Sequence, residues 1–185
     1  MHDVFIQALQ ITLGWEKGYG DHSKDPGGAT NFGITRKTLS DWREHKVTKY
    51  EVKNLKMPEA QRIYKEKYWV PAYCDQLPDA IAIAMFDCAV NQGVGRAKKL
   101  LQSALRVKVD GVIGPKTLAA VERTEEAELL RDFMAKRAMH YSGLKTLFTF
   151  GYGWFRRIFD VYGRALVRTK FIESRLSNIE HRKGD

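Results

Sequence analysis

Cysteine is nearly missing from this 185-residue chain, with two copies, Cys74 and Cys88. Two are too few for a disulfide framework. They read either as small apolar core residues, the usual place of a free cysteine, or as a single bridge. There is no C-x-x-C pair, and the five histidines (2, 22, 45, 140 and 181) are scattered, so no structural zinc site and no cofactor are expected. No uncharged apolar run approaches the roughly 20 residues that span a bilayer. The first residues, Met1-His2-Asp3-Val4-Phe5, show neither a basic segment nor a small-residue cleavage site, so no signal peptide is expected. Sustained two-residue alternation is also lacking, which argues against a sheet-built fold.

What remains is the composition of an ordinary globular protein, 44% hydrophobic and 29% charged, long enough to bury a core in one compact unit or two small ones. Its net charge is +9 and unevenly spread. Residues 1–130 carry 19 Lys/Arg against 17 Asp/Glu, whereas residues 131–185 carry 12 against 5. A basic surface suits a polyanion: nucleic acid, anionic lipid or an anionic envelope polymer. No nucleic-acid reading motif accompanies it, so nucleic acid is not expected as a partner.

The predicted elements are helical. Asp3 can cap a helix with apolar Val4, Phe5, Ala8, Leu9, Ile11 and Leu13. Gly14, Gly18 and Gly20 then oppose its continuation. Asp25-Pro26-Gly27-Gly28 signals a turn, and residues 20–35 read as a short irregular hairpin or loop. Helices are predicted over 36–45, over 58–69 with Pro58 at its start, and over 80–90, the last apolar on nearly every face and therefore central. Further helices are expected over 96–106, 115–121 and 125–142. Residues 148–172 mix aromatics with arginines, and the polar tail beyond them is expected to fray.

Glu16 carries the chemical argument. It falls at the C-terminal end of the first helix, where the dipole disfavours a negative charge, and Trp15 adjoins it. Both effects raise a carboxyl pKa toward that of a general acid. Glycoside hydrolysis uses such an acid, usually with a second carboxylate. Asp25, nine positions on, is the candidate, although an Asp before Pro-Gly-Gly equally serves the turn. Asp21 is a weaker alternative, and a single-acid mechanism stays open.

These residues meet a known family. W-E-K-G-Y-G at 15–20 resembles the E-G-G-Y signature of the glycoside hydrolase family 108 N-acetylmuramidases, and D-P-G-G-A-T-N-F-G-I-T at 25–35 resembles that family's D-P-G-G-x-T-x-x-G-I-T block. F-D-C-A-V-N-Q-G-V at 86–94 is similar to a further patch. A-K-K-L-L-Q-S-A-L followed by D-G-V-I-G-P-K-T-L resembles the peptidoglycan-binding module that follows the catalytic domain. Lys17 departs from the pattern, which usually has Gly, and a cation there lowers the pKa of a neighbouring acid.

The resemblance implies a mainly α, lysozyme-like helical domain with a short irregular hairpin after the first helix, plus a helical peptidoglycan-binding module. The boundaries expected are 1–92 for the catalytic domain, 93–172 for the wall-binding module and 173–185 for the tail. It implies cleavage of the β-1,4 bond between N-acetylmuramic acid and N-acetylglucosamine; the catalytic candidates are Glu16, with Asp25 either as second carboxylate or as turn cap, and Thr30 either holding water or serving only the hairpin. Tyr19, Asn91 and Gln92 are the substrate-binding candidates, each with packing or helix capping as its rival role. Tyr64, Tyr68, Trp69 and Tyr73 read as core and cleft floor.

The expected partner is bacterial peptidoglycan. Anionic envelope polymers or membrane lipids are expected at the basic C-terminal segment, whose rival role is a helix packed on the core. A monomeric phage or prophage endolysin is expected, made in the host cytoplasm and released by a holin to the periplasm and wall. Related chains serve as secretion activators or secreted muramidases, and a non-catalytic wall-binding protein is the other alternative.

Overall fold

A computed structural model describes residues 4–15, 20 and 29–169. The chain is mainly helical, with one two-stranded antiparallel sheet. Helix α1 (Val4–Leu13) turns Phe5, Ala8, Leu9, Ile11 and Thr12 inward. The cap expected from Asp3 lies outside the described residues. Strands β1 (Thr30–Asn31) and β2 (Ile34–Thr35) form a hairpin in which Thr30 pairs with Thr35 and Asn31 with Ile34. Phe32 and Gly33 form its two-residue turn, both with positive φ (50° and 71°), the signature of the tight turns that match strand twist.

Thr35 then caps α2 (Arg36–Arg43), its hydroxyl accepting from Thr38 N at 3.1 Å. A short helix absent from the sequence prediction follows, α3 (Lys49–Lys53), which owes its start to a capping box between Thr48 and Glu51. Helix α4 (Met57–Tyr64) widens into a π-helical stretch, Lys65–Trp69, where a single helix over 58–69 was expected. Arg43 ties this corner together with a two-pronged bridge to Glu59 (2.9 and 2.8 Å) and a further contact to Glu51 at 3.2 Å.

The centre is α5 (Asp79–Gln92), buried from Ala80 to Ala89 without a break. A helix apolar on every side needs neighbours on every side. It packs against α1, α6 (Val94–Ala104), α8 (Glu126–Ser142), α9 (Leu147–Leu166) and the π-helical stretch. Helix α7 (Pro115–Arg123) begins with the proline expected to open it. One hydrophobic cluster takes residues from both expected modules, from Phe5 through Phe86 to Phe133 and Val161. Phe5, Trp69 and Phe86 meet edge to face, with centroids 5.4 to 5.9 Å apart.

Cys74 and Cys88 are both buried and free. Burial pushes the Cys88 thiol up to about 12, and it donates to Gln92 Oε1 at 2.9 Å. Among the described residues no helix is long and apolar enough to cross a membrane.

The deepest polar feature also belongs to α5. Asp87, fully buried, accepts from Arg137 of α8 (Nη2 to Oδ2, 2.7 Å) and from Arg157 of α9 (Nε to Oδ1, 2.9 Å). Burial alone raises its carboxyl pKa, but the two guanidiniums outweigh burial and hold it below the usual carboxylate range. The cluster therefore joins the central helix to both C-terminal helices.

Candidate active site

The hairpin is held by side chains that the motif supplies. Asn31 Nδ2 donates to the carbonyls of Val52 (3.1 Å) and Lys53 (3.0 Å), capturing free carbonyls at the end of α3. Tyr64, from α4, donates its hydroxyl to Phe32 O at 2.8 Å. These bonds fix the left-handed turn from both sides, which explains why N-F-G-I-T reads as one block. Gly33 is the residue that accepts such a φ at little cost.

Thr30 opens β1 and also bridges to Gly20. Its backbone exchanges two hydrogen bonds with Gly20, N to O at 2.8 Å and O to N at 3.0 Å. A side chain added at Gly20 would lie 3.4 Å from Thr30 Oγ1, so glycine leaves the approach to that hydroxyl open. Thr30 is half-buried. Glu16, Tyr19 and Asp25, with Lys17 and Asp21, lie outside the described residues.

Across from the hairpin, Val90 and Asn91 at the end of α5 join Gly33, Ile34, Thr38, Tyr64 and Tyr68 around a cavity of about 210 Å³. Asn91 is exposed, and its Oδ1 accepts from the Tyr141 hydroxyl. That bond fixes the amide and leaves the Nδ2 hydrogens as its remaining donors. Tyr141 is stacked on Trp154 (centroids 4.8 Å apart), so Asn91 is positioned from α8 and α9 together. Burial raises the Tyr141 pKa, keeping its hydroxyl a donor.

Gln92 faces the other way. Its Oε1 accepts from Cys88 Sγ and from Arg137 Nε at 3.2 Å, while its Nε2 is buried without a hydrogen-bond partner among the described residues. The structure thus brings Thr30's hairpin and Asn91 to one cleft and commits the Gln92 carbonyl to the interior.

Sequence reasoning missed the positioning residues Tyr141, Arg137 and Asp160. The Trp15 indole donates to Asp160 Oδ2 at 2.9 Å, tying the residue before Glu16 to α9. These links span 45 to 145 residues of sequence, and no local pattern signals them. Among the described residues no group of His, Cys, Asp or Glu is arranged to hold a metal ion.

Comparison with known proteins agrees with this layout. A model of the Glycosyl hydrolase 108 family matches residues 9–93, and a model of the Predicted Peptidoglycan domain matches residues 96–159. The solved structure of Brucella abortus SagA is similar, with 44% identity over 90% of this chain and 95% of that one, and a TM-score of 0.81. No match was found among curated proteins.

Proposed function

We propose that this chain, which belongs to the glycosyl hydrolase 108 family and is a peptidoglycan hydrolase, cuts the glycan with Glu16 as its acid and serves as an endolysin in host lysis. The observation that carries the reading is the order of the two family matches, a glycosidase at 9–93 followed by a peptidoglycan domain at 96–159. The cleft supports it, because the hairpin that Thr30 opens and the Asn91 end of α5 meet around one cavity.

In this mechanism Glu16 protonates the oxygen linking N-acetylmuramic acid to N-acetylglucosamine. The bond to that oxygen breaks as positive charge develops on the muramic ring. Asp25 is the carboxylate assigned to the opposite face, where it stabilises that charge or takes a proton from water. Thr30 orients the water through its hydroxyl. Tyr19 and Asn91 are assigned to substrate, Asn91 through Nδ2 donors suited to an N-acetyl carbonyl; Gln92 acts instead through the α5–α8 contact.

The test is release of reducing ends from purified peptidoglycan. Glu16→Gln keeps the shape and removes the proton, so it is expected to lose about 100- to 10,000-fold of the rate, the span of general acid catalysis. Full activity in that variant would sink the assignment. The endolysin role predicts that expressed protein lyses cells only when the inner membrane is opened by a holin or by solvent. Lysis or export without such opening favours a secreted muramidase.

Anionic envelope polymers or lipids are the further partner we assign to α9, whose exposed Phe148, Tyr152 and Phe159 stand beside arginines. Sedimentation with anionic vesicles tests this contact, and equal binding to neutral vesicles argues against it.

A further inference from the structure

A cavity of about 620 Å³ opens between the end of α1 and the outer part of α9, with Gly14, Trp15, Arg156, Phe159, Asp160 and Arg164 among its walls. Its volume is that of a site for a small ligand or one segment of a polymer. Its charges are not balanced. Asp160 is fully engaged, Oδ2 by the Trp15 indole and Oδ1 by Arg164 Nε at 2.8 Å. Arg156 has no carboxylate partner among the described residues. It lies instead against two aromatic rings, 6.0 Å from the centroid of Trp15 and 5.7 Å from that of Tyr152.

Contacts with ring faces take up no hydrogen-bond acceptor, so the guanidinium N–H groups stay available to a ligand. They also restrain the side chain before any ligand arrives, so less freedom is lost on binding. A planar fork with unsatisfied donors beside an open cavity is suited to a carboxylate, which accepts two parallel hydrogen bonds from it.

We propose that Arg156 anchors a carboxylate of the peptide stem carried by muramic acid, so that the α1–α9 cavity selects peptide-bearing glycan. The proposal rests on the peptidoglycan-hydrolase reading. The sugar backbone of that substrate is neutral, and its anionic groups are on the peptide. Arg156 lies against the ring of Trp15, the residue that precedes the assigned acid in sequence, and is thereby a specificity residue for peptide-bearing strands.

The test uses the full chain and two substrates, peptide-bearing glycan with free peptide carboxylates and the same glycan with those carboxylates converted to amides. The readout is the ratio of kcat/KM on the two. Wild type favours the strand with free carboxylates, and Arg156→Ala is expected to lower the ratio about tenfold, mostly through KM, as loss of one charge-assisted pair implies. Arg156→Lys keeps the charge but not the fork and is expected to recover only part of it. An unchanged ratio in both variants overturns the proposal, as does an equal loss on both substrates, which assigns Arg156 to holding Trp15. A wild-type chain that releases ends from neither substrate overturns the hydrolase reading beneath it.

Discussion

Two buried polar networks in this protein do opposite jobs. Asp87 joins side chains 50 and 70 residues apart, welding α5 to α8 and α9. Gln102, equally buried, works within ten residues: its Nε2 donates to Asp110 Oδ1 (2.8 Å) and Val112 O (3.0 Å), and its Oε1 accepts from Gly111 N (2.7 Å). The first network fixes how helices are arranged and the second fixes the shape of one turn. Charge is spent on the long-range joint, where a single carboxylate must satisfy two guanidiniums. The local one uses a neutral amide side chain to tie one half-exposed carboxylate, Asp110, to two backbone groups.

The sharpest way to break this contrast is Asp87→Asn. It leaves two arginines facing each other without an anion, and loss of one member of a buried charge cluster costs about 3–5 kcal/mol. Urea denaturation should show that loss. Replacing Asp87, Arg137 and Arg157 together by apolar residues of similar volume should recover much of it, because no buried charge is then left unpaired. If the triple variant is no better than the single one, the charges are stabilising in their own right.

The second effect is in acid. Asp87 has a folded pKa below its unfolded value, so its contribution is complete above the ordinary carboxyl range and is lost as pH falls through the folded value. The stability gap between wild type and Asp87→Asn is therefore expected to narrow below about pH 4. A gap constant down to pH 2 contradicts this linkage.

Gln102→Ala strips three hydrogen bonds from the turn and should cost about 1–3 kcal/mol. Its signature is faster amide exchange confined to residues near 110–112, whereas Asp87→Asn should raise exchange across α5, α8 and α9. Smallest is Gly111→Ala. Gly111 has φ +81° and a Cβ there meets only Lys99 side-chain atoms at ordinary contact distance, so the cost is the left-handed strain of about 1–2 kcal/mol.

The same contrast explains what the sequence made legible. The turn at Asp110-Gly111 is legible in sequence because its chemistry is contained in V-D-G-V-I-G-P. Helices α1, α6 and α8 followed apolar spacing, α7 opened at its proline, and α5 announced its central place by being apolar all round. Helix α3 was missed because five residues cannot show a period; its capping box was the one available signal. The π-helical stretch at Lys65–Trp69 has no recognisable pattern. Thr30 and Asn91 drew notice through their motifs, and the hairpin and helix end that carry them meet around one cavity. Tyr141 behind Asn91, and Asp160 behind Trp15, were invisible because chain distance separates them from what they hold.

The separation of Asp87 from its partners also sets a schedule for synthesis. Translation at about 5–20 residues per second puts roughly 4–14 s between Asp87 and Arg157. Until then the central helix carries a carboxylate with half its partners missing, and the glycosidase half is incomplete. A chain stopped after residue 142 is expected to be rapidly degraded by protease, and equal resistance to wild type would refute this. Premature termination then yields no active fragment, and the capacity to cut the wall arrives only with the last helix.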